Sequence, residues 1–429
     1  MLRMLIGATL AVGLFTGAAI AQDDFISAAA LDEAGFVKYW QLPLPLFPGQ
    51  ELDHCYLVDD QVYATTVDGY VYAVDAQTGA IRWMKQITTA GYSIRRPCHH
   101  GNLVLFVLPP AIIAYDRYTG TPVHRMDTRF PTGTPAVSDG KLFYVGGIDQ
   151  RIYAFRLGVD FEVWKTRAEG QVISQPVLLG EHLYFVGETG TIYACTASNK
   201  RFYWKTTRTG SITADLAADE NGIYAASLDY SLYLFDPAFG GLRWRARFSG
   251  PLTDPPVLTP KVAYQYCQQD GLVAVNTETV GVTQRIRWKL PNGRTVLTVD
   301  GNAVYVYTTD HNILEVDAET GRIGHTIPVA GFNYFMPTTK TVALLLASKD
   351  GRLFCARKQG VPIVLAQQVR ESLKGPQETA AQTTADTDTT ASTDESTDIL
   401  TTKRPGPPLG GKSKVTKDFE AGRTGTQPE

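Results

Sequence analysis

One short pattern returns eight times along this chain: VYAVD (71–75), IIAYD (112–116), IYAFR (152–156), IYACT (192–196), LYLFD (232–236), LVAVN (272–276), ILEVD (313–317) and LFCAR (353–357). Successive starts lie 41, 40, 40, 40, 40, 41 and 40 residues apart. A period of this length, with several short strands per unit, indicates the blades of a β-propeller. The most regular unit, TPAVSDGKLFYVGGIDQRIYAFRLGVDFEVWKTR (134–167), parses into four strands around PAV, KLFYV, RIYAF and EVWKT. A blade packs on a neighbour through each face, so its middle strands should be apolar on both sides. IYAF and KLFYV meet that requirement.

The turn after the repeated strand has its own chemistry. Asp75–Gly79, Asp116–Gly120 and Asp317–Gly321 share the form DxxTG. An Asp side chain can accept from backbone amides just ahead of it, and Gly enters the left-handed region cheaply. Recurrence at one blade position makes these carboxylates structural rather than a catalytic or metal array. An outer strand follows, carrying Trp83, Trp164, Trp204, Trp244 or Trp288, with His124 and His325 near that place in the two other complete repeats. Trp there is expected to plug the gap between diverging blades. In LRWRAR (242–247), Arg243, Arg245 and Arg247 share the face opposite Trp244 and read as protection of an exposed sheet edge.

Counting the strands predicts how the ring closes. Eight third strands are followed by only seven outer strands, because LFCARKQG (353–360) ends before any Trp. Gly35-Phe-Val-Lys-Tyr-Trp40 resembles Gly79-Ala-Ile-Arg-Trp83, so residues 36–44 should supply the missing outer strand, with Trp40 in the common slot. The expected architecture is all-β: an eight-bladed propeller of four-stranded blades over 36–365, closed by an N-terminal strand.

The flanking segments differ in character. MLRMLIGATLAVGLFTGAAIAQ has one early positive charge at Arg3, an apolar stretch from Met4 to Leu14, and small residues at Ala19 and Ala21. It reads as a signal peptide over 1–21, which implies export to the periplasm or cell envelope. No cysteine stands near that cleavage point, and no later segment is long enough to cross a bilayer. Residues 22–35 form a lead. The tail, 366–429, is rich in Thr, Ala, Asp and Ser, with five acids from Asp386 to Asp398, then Lys403, Arg404, Lys412, Lys414 and Lys417. So few large apolar residues cannot offset ordering entropy, and disorder is expected there.

The remaining numbers limit function. A net charge of −3 gives no reason to expect nucleic acid as a partner. Five cysteines scattered over the repeats are not a disulfide framework, although Cys55 and Cys98 could approach one another. His54-Cys55 and Cys98-His99-His100 occupy matching inner-strand regions. Of these, His54, Cys55, Cys98 and His100 are the candidate ligands for zinc or copper, against ordinary inner-strand packing. Arg95 and Arg96 precede the second group as a candidate anion-binding or partner-binding rim. No serine triad, phosphate loop or HExxH pattern occurs, so no catalytic residue is assigned.

The unit TxAVSDGxLFYVG with IYAF, and the run from Ala73 to Trp83 (AVDAQTGAIRW), resembles the PQQ-like β-propeller repeat family over about 36–360. The resemblance implies one of two functions. Quinoprotein dehydrogenases bind pyrroloquinoline quinone with calcium, and carry adjacent cysteines and long insertions between blades. This sequence has neither. BamB-like scaffolds of outer-membrane protein assembly have this length and blade number and no catalysis, although they are usually lipoproteins. The expectation is a monomeric, non-enzymatic envelope scaffold with protein partners and no cofactor. The alternatives are a quinoprotein oxidoreductase and a ligand-binding or carbohydrate-binding sensor.

Overall fold

The computed structural model describes residues 24–109, 111–207, 209–278, 285–362 and 367. The leader and the tail beyond Gln367 lie outside them. Among the described residues, the chain forms eight four-stranded antiparallel sheets. Blades 1 to 7 follow chain order over 52–86, 98–127, 137–167, 177–206, 217–247, 257–290 and 293–328. Blade 8 joins both ends of the ordered chain: Tyr334–Phe335, Ala343–Ala347 and Arg352–Lys358 are completed by Phe36–Pro43. Trp40 pairs with Cys355 in that last ladder. No helix among the described residues is long and apolar enough to cross a membrane.

The two middle strands of each blade are buried on both faces, as in Phe143–Gly147 and Gln61–Thr66. Each large apolar side chain fully buried there stabilises the fold by about 1.5–3 kcal/mol. The second strand brings a repeated Tyr that sequence reading did not single out. Tyr63, Tyr144, Tyr184, Tyr224 and Tyr264 are buried and touch Trp83, Trp164, Trp204, Trp244 and Trp288 respectively, at ring-centroid distances of 5.8–6.1 Å.

The Trp residues do more than fill space. Each donates its indole N–H across the gap to a carbonyl in the turn of the next blade. Trp83 reaches Arg117 O (3.0 Å), Trp164 reaches Ala197 O (2.9 Å), Trp204 reaches Pro237 O (3.0 Å), Trp244 reaches Thr277 O (3.1 Å) and Trp288 reaches Ala318 O (2.9 Å). Trp40 makes the same bond from blade 8 to Ala76 O of blade 1, at 3.1 Å. The receiving turn is shaped as its sequence requires. In blade 1, Asp75 Oδ1 accepts from the Gln77 and Thr78 amides and the Thr78 hydroxyl, and Gly79 sits at φ +70°.

Two seams lack the indole. His124 instead faces Asp160 of blade 3 at 3.3 Å, and His325 turns back to Glu315 of its own blade at 2.7 Å. At the seam between blades 7 and 8 the lead contributes packing beyond the closing strand. A short helix, α1 (Ala28–Glu33), buries Leu31 beside Ile26, Ala34 and Phe36 in one cluster with Tyr305, Ile327 and Leu344. Phe36 meets Tyr305 edge-on at 4.8 Å, and Lys358 Nζ donates to the Tyr305 hydroxyl at 2.7 Å.

Candidate functional site

The ring has two distinct faces, fixed by the backbone. On the turn face, the turn between the first two strands meets the DxxTG turn, as where Ala76 N donates to Asp60 O. On the loop face, the hairpin between the two middle strands meets the connection to the next blade, as where Ile87 N donates to Gly69 O. A cavity opens on each face beside the inner strands.

The loop-face cavity, about 450 Å³, is bounded by blades 6, 7, 8 and 1. Asp254 and Arg294 pair across adjacent blades at 3.1 Å, and the Arg294 guanidinium lies 4.0 Å from the centroid of the Tyr266 ring. Tyr307 stacks on Phe335 at 3.6 Å. Tyr334 donates to Leu52 O at 2.7 Å, and burial pushes its hydroxyl up to about 12. The arrangement is a rigid aromatic wall with one oriented guanidinium.

The turn-face cavity, about 840 Å³, lies between blades 8, 1 and 2 and is charged: Asp59, Asp60, Arg96, Arg117, Lys340 and Arg357 line it. Arg117 pairs with Asp60 at 3.0 Å. Next to it, His99 is held between Asp59 Oδ2 (2.8 Å from Nδ1) and the Tyr63 hydroxyl (2.9 Å from Nε2), with Arg117 Nη1 2.9 Å from Nδ1. Burial, then the Arg117 charge, lower the His99 pKa below its ordinary 6.5, against the opposing pull of Asp59 and Asp60. The unfolded chain therefore takes up the proton first as pH falls. The neutral imidazole contributes stability that is present above about pH 6.5 and is lost as pH drops toward the lower folded value. Thermal melts between pH 7.5 and 5.5 should show that decline, and His99→Asn should flatten it.

The structure separates the candidate metal ligands. His54 and Cys55 face the loop-face cavity, where His54 stacks on Tyr56 and pairs with Asp53 at 3.2 Å. Cys98 packs into the cluster between blades 2 and 3, and His100 Nδ1 meets Ser138 Oγ of blade 3 at 2.8 Å. Strand alternation thus sends Cys98 and His100 toward one neighbour and His99 toward the other. No group of three metal-ligating side chains forms among the described residues. Cys55 and Cys98 are free thiols like the other cysteines, and burial pushes the Cys98 thiol up to about 12. The candidate rim also divides: Arg95 donates to Thr132 O (3.3 Å) toward blade 3, whereas Arg96 donates to Leu57 O (2.9 Å) of blade 1.

Sequence reading missed both real constellations, Asp254–Arg294–Tyr266 and Asp59–His99–Tyr63–Arg117. The available signal was positional. Asp254 and Arg294 are forty residues apart, so matching places in consecutive blades hold complementary groups; spacing does not mark the other set, because Asp59 lies in the turn after Leu52–Val58 whereas His99 lies within the inner strand Cys98–His100.

The sequence pattern of the family described as "Outer membrane protein assembly factor BamB" matches residues 27–129, 110–220 and 190–360. No curated protein sequence matches the chain. Among solved structures, BamB from Moraxella catarrhalis superposes with a TM-score of 0.60 at 18% identity, over 76% of this chain and 99% of that one. The computationally designed Ika8 protein superposes with a TM-score of 0.58 at 13% identity, over 73% of this chain and 98% of that one. At these identities the likeness concerns the fold.

Proposed function

Because the chain belongs to the family of the outer-membrane protein assembly factor BamB, we propose that it is a non-catalytic scaffold of the cell envelope that binds a protein partner through its loop face. The observation that carries the reading is the aromatic cavity around Arg294. Tyr and Arg side chains held rigidly in a recess are the residues that dominate protein interfaces, because they bury large area at little entropic cost. Export through the leader at 1–21 would place this surface in the periplasm.

The same geometry argues against pyrroloquinoline quinone with calcium. A hard cation needs free carboxylate oxygens, and a flat quinone needs an open aromatic face. Asp254 is held by Arg294, the same guanidinium covers Tyr266, and Tyr307 is stacked on Phe335. These residues do not fit the group.

Affinity capture from envelope fractions tests the reading. The full chain should retain a partner that is lost with Tyr266→Ala and Arg294→Ala, while both variants keep the parental melting temperature. Equal capture by the variants, or quinone-dependent turnover, would overturn it.

A further inference from the structure

The turn-face cavity holds more positive charge than its acids balance. Four basic side chains, Arg96, Arg117, Lys340 and Arg357, face two carboxylates, in a chain whose overall net charge is −3. Both carboxylates are already engaged: Asp60 by Arg117 at 3.0 Å and Asp59 by His99 at 2.8 Å. Arg96, Lys340 and Arg357 are left with no carboxylate in ion-pair contact among the described residues.

Blade 8 creates much of this imbalance. It carries Arg357 where blades 1, 2, 5 and 7 carry Asp75, Asp116, Asp236 and Asp317. The register is the same, since Arg357 pairs with Ala343 as Asp75 pairs with Gln61. Each of those carboxylates accepts an amide of the turn ahead of it. A guanidinium has no acceptor, so Arg357 gives its turn nothing. It lies instead with Cζ 4.7 Å from the centroid of the Tyr39 ring. Lys340 comes from the connection between Tyr334–Phe335 and Ala343–Ala347, where Thr338, Thr339 and Thr341 line the same wall. Arg96, on the segment entering blade 2, is fixed by its bond to Leu57 O at 2.9 Å and keeps its charge. Two of the three cations are thus held in place before a ligand arrives, which lowers the entropic cost of binding.

We propose that this cavity binds a small oxyanion with two or more negative charges, a polycarboxylate or a phosphate compound. Guanidinium groups present paired N–H donors that match the oxygens of carboxylate and phosphate, and Lys340 adds a point charge. A recess lined by one excess sign of charge concentrates the opposite ion. A volume of about 840 Å³ admits such a molecule with its water. The cations come from blades 8 and 2, on either side of blade 1, so the bound anion ties the closing blade to the start of the ring. The site is independent of the protein-binding reading of the loop face.

Thermal melts and calorimetric titrations of the full chain with sodium citrate and with sodium pyrophosphate test this, each against sodium chloride of equal ionic strength. At least one of the two anions should raise the melting temperature saturably, as a ligand of the folded state does, whereas a general salt effect does not saturate. The stronger of the two identifies the carboxylate or the phosphate source. Lys340→Gln and Arg96→Gln alter exposed side chains, so both variants should fold, and each should weaken binding by about tenfold. Asp60→Asn removes a negative charge from the wall and releases Arg117. It should tighten binding, a gain that loss of structure does not produce. No saturable effect of either anion overturns the proposal, and so does undiminished binding by both Gln variants.

Discussion

A chain lacking residues 22–45 is expected to lose its cooperative thermal transition and to aggregate on size-exclusion chromatography. The deletion removes Phe36–Pro43, which pairs along Arg352–Lys358, and leaves that buried strand as an open edge. It also removes Ile26, Leu31 and Phe36, all at most 3% exposed. Their burial contributes roughly 5–9 kcal/mol together, comparable with the 5–15 kcal/mol of net stability typical of a domain. The unpaired strand would then be a template for intermolecular pairing. Trp40→Ala tests the seam more gently. Its indole bonds Ala76 O and packs over Gly79, and its loss should cost about 3 kcal/mol, the lower end of the range because the ring is only half-buried. A chain truncated after Gln367 is the companion measurement and should melt close to the full chain, given how little apolar material the tail carries. Equal melting temperatures for both truncations would show that the ring does not depend on its N-terminal strand.

Gly271→Ala is expected to destabilise blade 6 by about 3 kcal/mol or more, through strain and a backbone collision together. Gly271 sits at φ +73°, and a Cβ there would lie 2.1 Å from Leu290 O and 2.5 Å from Pro291 O. Both obstacles are main chain, so relief requires displacing the outer strand Ile286–Leu290 from its partner. Gly180→Ala isolates the conformational part. Its φ is +59°, yet a Cβ there meets nothing within 4 Å, and the expected cost is only about 1–2 kcal/mol. Chemical denaturation of the two variants should separate close approach from backbone strain. Similar losses in both would mean that blade 6 relaxes around the added methyl.

Blade number, strand order and closure were legible in the sequence because a propeller repeats one local solution. Each unit writes the same two-sided apolar strands and the same Asp and Gly turn, so forty-residue spacing carries the architecture. Trp40 was found for the same reason: the closing strand copies the outer strand of every other blade. What the repeat could not show was how non-repeating residues meet. His54, Cys55, Cys98 and His100 look like a ligand set when read along the chain, but the fold puts His54 and Cys55 at the loop-face cavity and Cys98 and His100 at the seam with blade 3. His99, set aside as the odd member of its run, is the one that acquires Asp59, Tyr63 and Arg117. The helix in the lead was equally invisible, since six residues are too few for periodicity to register.

The ring can be read from linear order alone, because local hydrogen bonding and burial are set within each unit and copied eight times. Which side chains from different blades share a cavity, and which face each cavity opens on, emerge only in the folded ring. Those relations depend on the angle between neighbouring blades and on contacts across seams such as Asp254 with Arg294 and Lys200 with Lys165 O. A one-dimensional spacing records the interval between such residues but not the direction in which each side chain leaves its strand.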